Sequence, residues 1–469
     1  MVPNPSKGLF PIQLDSHNLA FSVYPSVAGG GLPVMSDTRL RDRRCRLYKV
    51  PGQICNTDQR EHEPSYISIG PYHYQSEGLQ TRSNLWKEQC VSEVKSLLSP
   101  PAVDGDAGVL LDRLMAGIED EVRMYYDDIR SSPFPDNGEA FRGMMIADGC
   151  FLLVTLGLLQ PDDDDPSRWD NQLWLHDILL YGNQLPFVVV REIYRLIRSC
   201  ETRTEEEHGF PGKKIGAIIG PMLRGYTTRP ASDVVVENAG HVLHLCHLLL
   251  KPTNTPMDNS EPRRGDGGDD DGNVERWRRA TEYSELLVVF KKRELGGGAQ
   301  CISDVKIRGR VVEIPKLELN PQTWRLLRNL VLLEQMNEHL GDHVTAYCVF
   351  ISQIASTSAD VRLLMERGII VHWEATDEAA ARKMGKLCDQ ITFYPGWDKY
   401  LTLEWHALES HCRSWSWRLA AKLCRHKDWK NPLVVTGTLV AVVILFCAIV
   451  QSLYSFLAYR DQKKNLSRA

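Results

Sequence analysis

The run Leu433-Val434-Val435-Thr436-Gly437-Thr438-Leu439-Val440-Ala441-Val442-Val443-Ile444-Leu445-Phe446-Cys447-Ala448-Ile449-Val450-Gln451-Ser452-Leu453-Tyr454-Ser455-Phe456-Leu457-Ala458-Tyr459 holds 27 residues without a charged side chain, and Gln451 is the only strongly polar one. As a helix rising 1.5 Å per residue it would extend about 40 Å, more than the roughly 30 Å hydrocarbon core of a bilayer. A core helix of this length carries a polar stripe, and this run has none. The sequence therefore predicts one transmembrane helix over 433–459 with a short basic tail at 460–469. Function is to be sought in the soluble residues before it.

Those residues are enough for one large or two ordinary domains. Net charge is −5, which gives no electrostatic reason to expect a nucleic-acid partner. Charge is local. Arg39, Arg41, Arg43, Arg44 and Arg46 form a basic knot, read as a solvated linker. The twelve cysteines are scattered without a C-x-x-C pair, which suits reduced, separately packed thiols on the cytosolic side. Pro3, Pro5, Pro11, Asp15, His17 and Asn18 interrupt any signal-peptide run, so a tail anchor is expected. Arg413, Arg418, Lys422, Arg425, Lys427 and Lys430 precede the span, against Arg460, Lys463, Lys464 and Arg468 after it. That bias, with no glycosylation sequon in the soluble part beyond the Pro-blocked Asn4, predicts a cytoplasmic soluble domain.

Composition divides the soluble chain. Residues 1–38 are rich in Pro, Gly and Ser and read as a disordered segment; 39–430 read as a helical domain with a low-complexity insert at 251–273. Leu47–Tyr74 looks extended. Leu111, Leu114, Ile118, Val122, Tyr125 and Ile129 fall at helical steps, and Phe141–Leu159 is apolar nearly all round, the mark of a buried helix. Asp162–Asp165 before Pro166 reads as a loop. Trp174–Leu180 and Phe187–Ile197 read as helices, the second entered through Pro186. After the insert, Ala280–Phe290 is predicted as a helix, and the alternation of Val305, Ile307, Val311 and Ile314 about Gly309 as a hairpin. Asn320-Pro321 caps a helix expected to reach Leu340, Gly368 stops one starting near Asp360, and the remainder to Arg425 reads as helical. The fold class predicted is mainly α, an α-dominated α+β domain with a small β-hairpin element, plus the C-terminal helix.

No catalytic signature is present: no nucleophile elbow, phosphate-cradling loop, dinucleotide fingerprint or H-E-x-x-H. His241, His244 and His247 are three apart, which spreads their rings over roughly 120° of a helix, too wide to meet one ion without a partner segment. No metal, cofactor or small-molecule substrate is expected. His339 and His343 read as capping or surface residues. Asp148 and Glu334 lie in apolar text, where a carboxylate must be paired, hydrogen-bonded or neutralised. Their predicted role is to pin helices or accept backbone amides.

In order along the chain stand Leu47-Tyr48-Lys49-Val50-Pro51, Pro64-Ser65-Tyr66-Ile67-Ser68-Ile69-Gly70-Pro71-Tyr72-His73, Asp148-Gly149-Cys150-Phe151, Asn183-Gln184-Leu185-Pro186-Phe187, Arg328-Asn329-Leu330 and Glu334-Gln335, with Gln451, Tyr454 and Ser455 in the span. This series resembles the plant family called "domain of unknown function 247", from about Leu47 to the end of the anchor. The resemblance departs at Gly182, where the family usually has an acid, and at Leu286-Leu287, where it usually has Ala-Gly. It implies a plant-specific membrane-anchored protein without established catalytic residues. Some grass members are implicated as pollen-side determinants of self-incompatibility, which implies recognition and signalling through a protein partner. A membrane-bound enzyme using Asp148 or Glu334, and a structural adaptor, stay open beside it. A carboxylate meeting a His or Cys in a pocket would favour the enzyme.

Overall fold

A computed structural model describes residues 45–51, 59–74, 79–98, 106–127, 138–159, 173–200, 212–230, 239–253, 276–389, 400–415, 417–419, 421 and 432–466. They all belong to one compact unit, Arg44–Ala469. The N-terminal segment, the arginines before Arg46, Asp162–Asp165 and all but the first residues of the low-complexity insert lie outside them. Among the described residues the protein is mainly helical, with two small sheets.

The first half is organised around a buried helix. Helices α1 (Gln80–Leu97) and α2 (Ala107–Arg123) lead into α3 (Gly138–Thr155), followed by a 3-10 turn at Leu173–Leu179 and α4 (Phe187–Cys200). Helix α3 packs against α1, α2 and α4 at once, which is why Phe141 to Leu153 is apolar on nearly every face. Gly149 is needed there: a Cβ would stand 2.6 Å from Ile193 Cδ1 and 3.0 Å from Val189 Cγ1 on α4. Trp86, Phe151 and Trp174 meet edge to face and lock α1, α3 and the 3-10 turn together. The periodic stripe predicted from Leu111 onward is α2, started by Asp106, whose side chain accepts from Gly108 N–H at 2.8 Å. It ends at Arg123, so Tyr125 lies in the following turn, where Leu47 bridges Tyr126.

Helices α5 (Gly212–Met222), α6 (Val242–Leu249) and α7 (Ala280–Glu285) carry the chain into the sheets. Strands β1 (Val289–Arg293), β2 (Lys306–Arg308) and β3 (Val311–Pro315) form a sheet in the order β1-β3-β2; β1 runs parallel and β2 antiparallel to β3. The β2–β3 pair is the predicted hairpin, with Gly309 at φ +57° in its turn. The expected helix over Ala280–Phe290 is corrected: it stops at Glu285, Leu287 adopts φ +61°, and Val289 onward pairs with β3. Branched Val288 and Val289 suit a strand, and the partner lies 22 residues downstream, beyond any local periodicity. Leu287 stands where the family's glycine would, so that glycine answers to a left-handed turn.

Strand β4 (Leu317–Leu319) precedes α8 (Pro321–Met336), whose N-cap Asn320 accepts from Thr323 N–H. Helix α8 ends at Met336 and a separate 3-10 turn covers Glu338–Leu340, a shorter helix than expected. Then come α9 (His343–Ile354), α10 (Ser358–Glu366), β5 (Ile370–His372) parallel to β4, α11 (Asp377–Lys386) and α12 (Thr402–Arg413). Strand β5 corrects the all-helical reading of this region; Gly368 at φ +69° ends α10 and turns the chain into it. Finally α13 (Pro432–Leu466) contains a window, Val440–Ala458, long and apolar enough to cross a membrane and not buried among the described residues.

Candidate functional site

Residues 63–74 form no helix or strand, so their backbone groups need partners of another kind. Ile67 and Ile69 point into the core and carry the amides inward with them. The Asp177 carboxylate, at the end of the 3-10 turn, accepts from Ser65, Tyr66 and Ile67 N–H at 3.1, 2.6 and 3.0 Å. Asn183 accepts from Ile69 N–H at 2.6 Å and donates to Ile67 C=O at 3.0 Å. Asp148, on α3, accepts from Gly70 N–H at 2.7 Å. Lys87, on α1, pairs with Asp148 and donates to Ser68 C=O. Gly70 has φ +71°, and a Cβ there would stand 2.7 Å from Gln184 C=O, so only glycine fits.

A second ring of amides fixes these anchors. Gln184 donates to Ile178 and Leu180 C=O and accepts from Leu243 N–H, while His241 Nδ1 lies 3.1 Å from its Oε1. Asn329 accepts from Tyr181 N–H and donates to Glu61 C=O. Asn337 brackets Arg46 by its N–H and C=O, and Tyr72 O–H bonds both Leu47 and Asp127 C=O. Burial raises both Asp148 and Asp177 above the ordinary carboxylate range, more than Lys87 and the amides lower them. Such a lattice holds backbone; its oxygens face amides rather than solvent.

Several of the quoted motifs, around Ile67, Asp148, Asn183 and Asn329, meet in this region. Gly149, Cys150, Leu185, Pro186 and Phe187 pack in the core, with Phe187 N–H on Gly240 C=O; Pro71 is buried and Pro51 half-buried. Gln335 is half-buried on α8, next to Glu334. At Gly182 a Cβ would meet His73 Nε2 at 2.9 Å, so an acid there would lie against that imidazole.

Glu334 belongs to a different group. From α8 it places Oε1 2.8 Å from His247 Nε2 on α6 and 3.6 Å from His343 Nδ1 at the start of α9. Oε1 also accepts from Val344 N–H, and Oε2 from the N–H and O–H of Thr345. All three residues are buried, which raises Glu334 and pushes both imidazoles down to about 3. His343 is thus an interior residue, a correction to the capping or surface role expected for it; the first turn of α9 faces α8 and takes its side chain inside. His241 and His244 go elsewhere, His241 to Gln184 and Cys45, His244 to Gly240 N–H. The buried thiols beside these groups, Cys246 and Cys150, are pushed up to about 12 and supply no thiolate.

Sequence reading missed Lys87, Asp177 and Asn337. Asp177 sat in apolar text as Asp148 did and could have been flagged the same way. Lys87 carries no such signal, since a lysine on a helix ordinarily reads as exposed.

A family model described as DUF247, plant protein of unknown function, matches residues 47–447. The chain belongs to the DUF247 family. The match begins at Leu47, ahead of residues 65–70, and ends inside α13. The chain is also similar to a UPF0481 protein of Arabidopsis thaliana, 22% identical over 473 residues, covering 96% of this chain and 94% of the relative. No solved structure matches it.

Proposed function

We propose that this DUF247 protein is a single-pass membrane protein of non-enzymatic type, whose helical domain acts through protein contacts in recognition or signalling. The observation that carries the reading is the use made of Asp148 and Asp177: each is buried and bonded to backbone amides of residues 65–70. Carboxylates spent on holding a segment in place, the motif residue Asp148 among them, leave the outer surface as the part that meets other molecules. The apolar window in α13 supports the tether, and the basic excess before it supports a cytoplasmic domain. The resemblance to grass members makes pollen the tissue in which to look.

The test is proximity labelling with the tagged full-length chain in native tissue, together with protease digestion of sealed vesicles. A reproducible set of membrane-associated neighbours, and digestion of the soluble domain from the cytosolic face, are the expected results. Protection of that domain would refute the topology, and absence of any reproducible neighbour would refute the recognition reading. The enzyme reading rests on Glu334, which does meet two histidines; turnover of any substrate lost in Glu334→Gln with the fold intact would favour it.

A further inference from the structure

The His247, Glu334 and His343 cluster is larger than a helix-pinning contact requires. Helix α6 and the consecutive helices α8 and α9 converge on one point, and a ligand atom from each lies within 4.8 Å of the others. The ring nitrogens that face Glu334 are His247 Nε2 and His343 Nδ1, one from each imidazole. The sequence argument against a metal concerned His241, His244 and His247 alone, which lacked a partner segment. Glu334 and His343 are that segment.

We propose that His247, Glu334 and His343 form a binding site for a divalent transition-metal cation of the zinc class. Two imidazoles and a carboxylate are the borderline donor set such ions prefer, and oxygen-seeking magnesium or calcium do not. Around a tetrahedral ion with bonds near 2.0–2.1 Å, neighbouring donors are about 3.3 Å apart. The distances from Glu334 Oε1, 2.8 Å to His247 and 3.6 Å to His343, lie on either side of that value, and all three donor atoms lie within 4.8 Å of one another. The outer partners are also in place. Thr345 holds Oε2 through its N–H and O–H, and Val344 N–H orients Oε1. Neutral imidazoles, which burial enforces here, are the state a metal requires. Three protein donors leave a fourth position to water.

The competing occupant is a proton: His247 Nε2–H donating to Glu334 would satisfy the same contact without metal. The two are separated with the full-length chain in detergent, purified without chelators or a histidine tag from zinc-supplemented cells. Mass spectrometry of the metal content should find about one zinc per chain, and a His247→Gln/His343→Gln variant about a tenth of that or less. His244→Gln, which alters a neighbouring imidazole outside the cluster, should keep the metal. Should the double variant not fold, the wild-type chain decides alone: stripped with a chelator, its Tm should fall and rise again on titration with Zn2+, and Co2+ should give the visible absorption of a four-coordinate site. Substoichiometric metal together with a Tm indifferent to zinc would overturn the site and leave the hydrogen-bonded triad. The outcome says nothing of membrane recognition, so either reading can fail without the other.

Discussion

Removing either partner of the Lys87–Asp148 pair should destabilise the fold far more than removing both. Lys87 is 5% exposed and Asp148 0%, so each charge depends on the other. Asp148→Asn keeps an oxygen for Gly70 N–H but strands the ammonium with only Ser68 C=O, and breaking a buried pair in this way costs about 3–5 kcal/mol. Lys87→Met strands the carboxylate. That carboxyl can escape by folding protonated, which at pH 7 costs about 1.4 kcal/mol for each of the roughly three pH units above an ordinary aspartate, so its penalty is bounded near 4 kcal/mol. The double variant Lys87→Met/Asp148→Asn buries no charge and should lose only about 1–2 kcal/mol, through Ser68 C=O and a less compatible amide. Urea unfolding of the full-length chain in detergent, followed by far-UV circular dichroism, would give the cycle. The Lys87→Met penalty should also shrink by about 1.4 kcal/mol for each pH unit below 7, as protonation becomes easier. Additive single effects, or a Lys87→Met penalty independent of pH, would refute the account of Asp148 as an ionised anchor.

Leu287 sits at φ +61°, so Leu287→Gly and Leu287→Ala lose the same side chain but only glycine relieves the backbone; the glycine variant should be more stable than the alanine one by about 0.5–1 kcal/mol, read from thermal or urea midpoints. Burial, with Lys49 and His62 adding to it, holds His73 down at about 4. The unfolded imidazole takes up its proton near 6.5, so stability present in full above that value is lost as pH falls from 6.5 towards 4, reaching about 2 kcal/mol at pH 5 for His73. His73→Gln should flatten the urea midpoint between pH 7 and 5 by that share. Ending the chain after Lys430 should give a folded, helix-rich protein that leaves the membrane fraction; retention on vesicles would show that Trp415–Trp429 binds lipid unaided.

What could be read in the sequence was whatever is local. The β2–β3 hairpin announces itself by alternation about one glycine, α8 by Asn320-Pro321, α4 by Pro186, and the span of α13 by its unbroken apolar run. Parallel pairings were out of reach: β1 meets β3 and β4 meets β5 only after intervening chain, and three-residue strands leave no periodicity to detect. The site divides in the same way. Asp148 and Glu334 were visible as acids in apolar surroundings, but their partners lie elsewhere, Lys87 on another helix and His247 87 residues from Glu334. The motif text around Ser68-Ile69-Gly70 could be quoted without its reason, because the reason is a backbone accounting that only the packed chain displays.

The clamped segment also has a place in time. Its amides at Ser65, Ile67 and Ile69 wait for Asp177 and Asn183, 110 to 114 residues later in the chain, and Glu61 waits for Asn329, 268 residues away. Closing loops of that length precedes any gain from these bonds, so the segment should be among the last parts to lock during folding. Early in synthesis it would be an unpaired apolar strap, with Ile67 and Ile69 open to chaperones until residue 183 has emerged. Pulse-labelled hydrogen exchange during refolding would read this directly: protection at Ile67, Ile69 and Gly70 should lag that of α3, and simultaneous protection would mean that the strap forms with the nucleus.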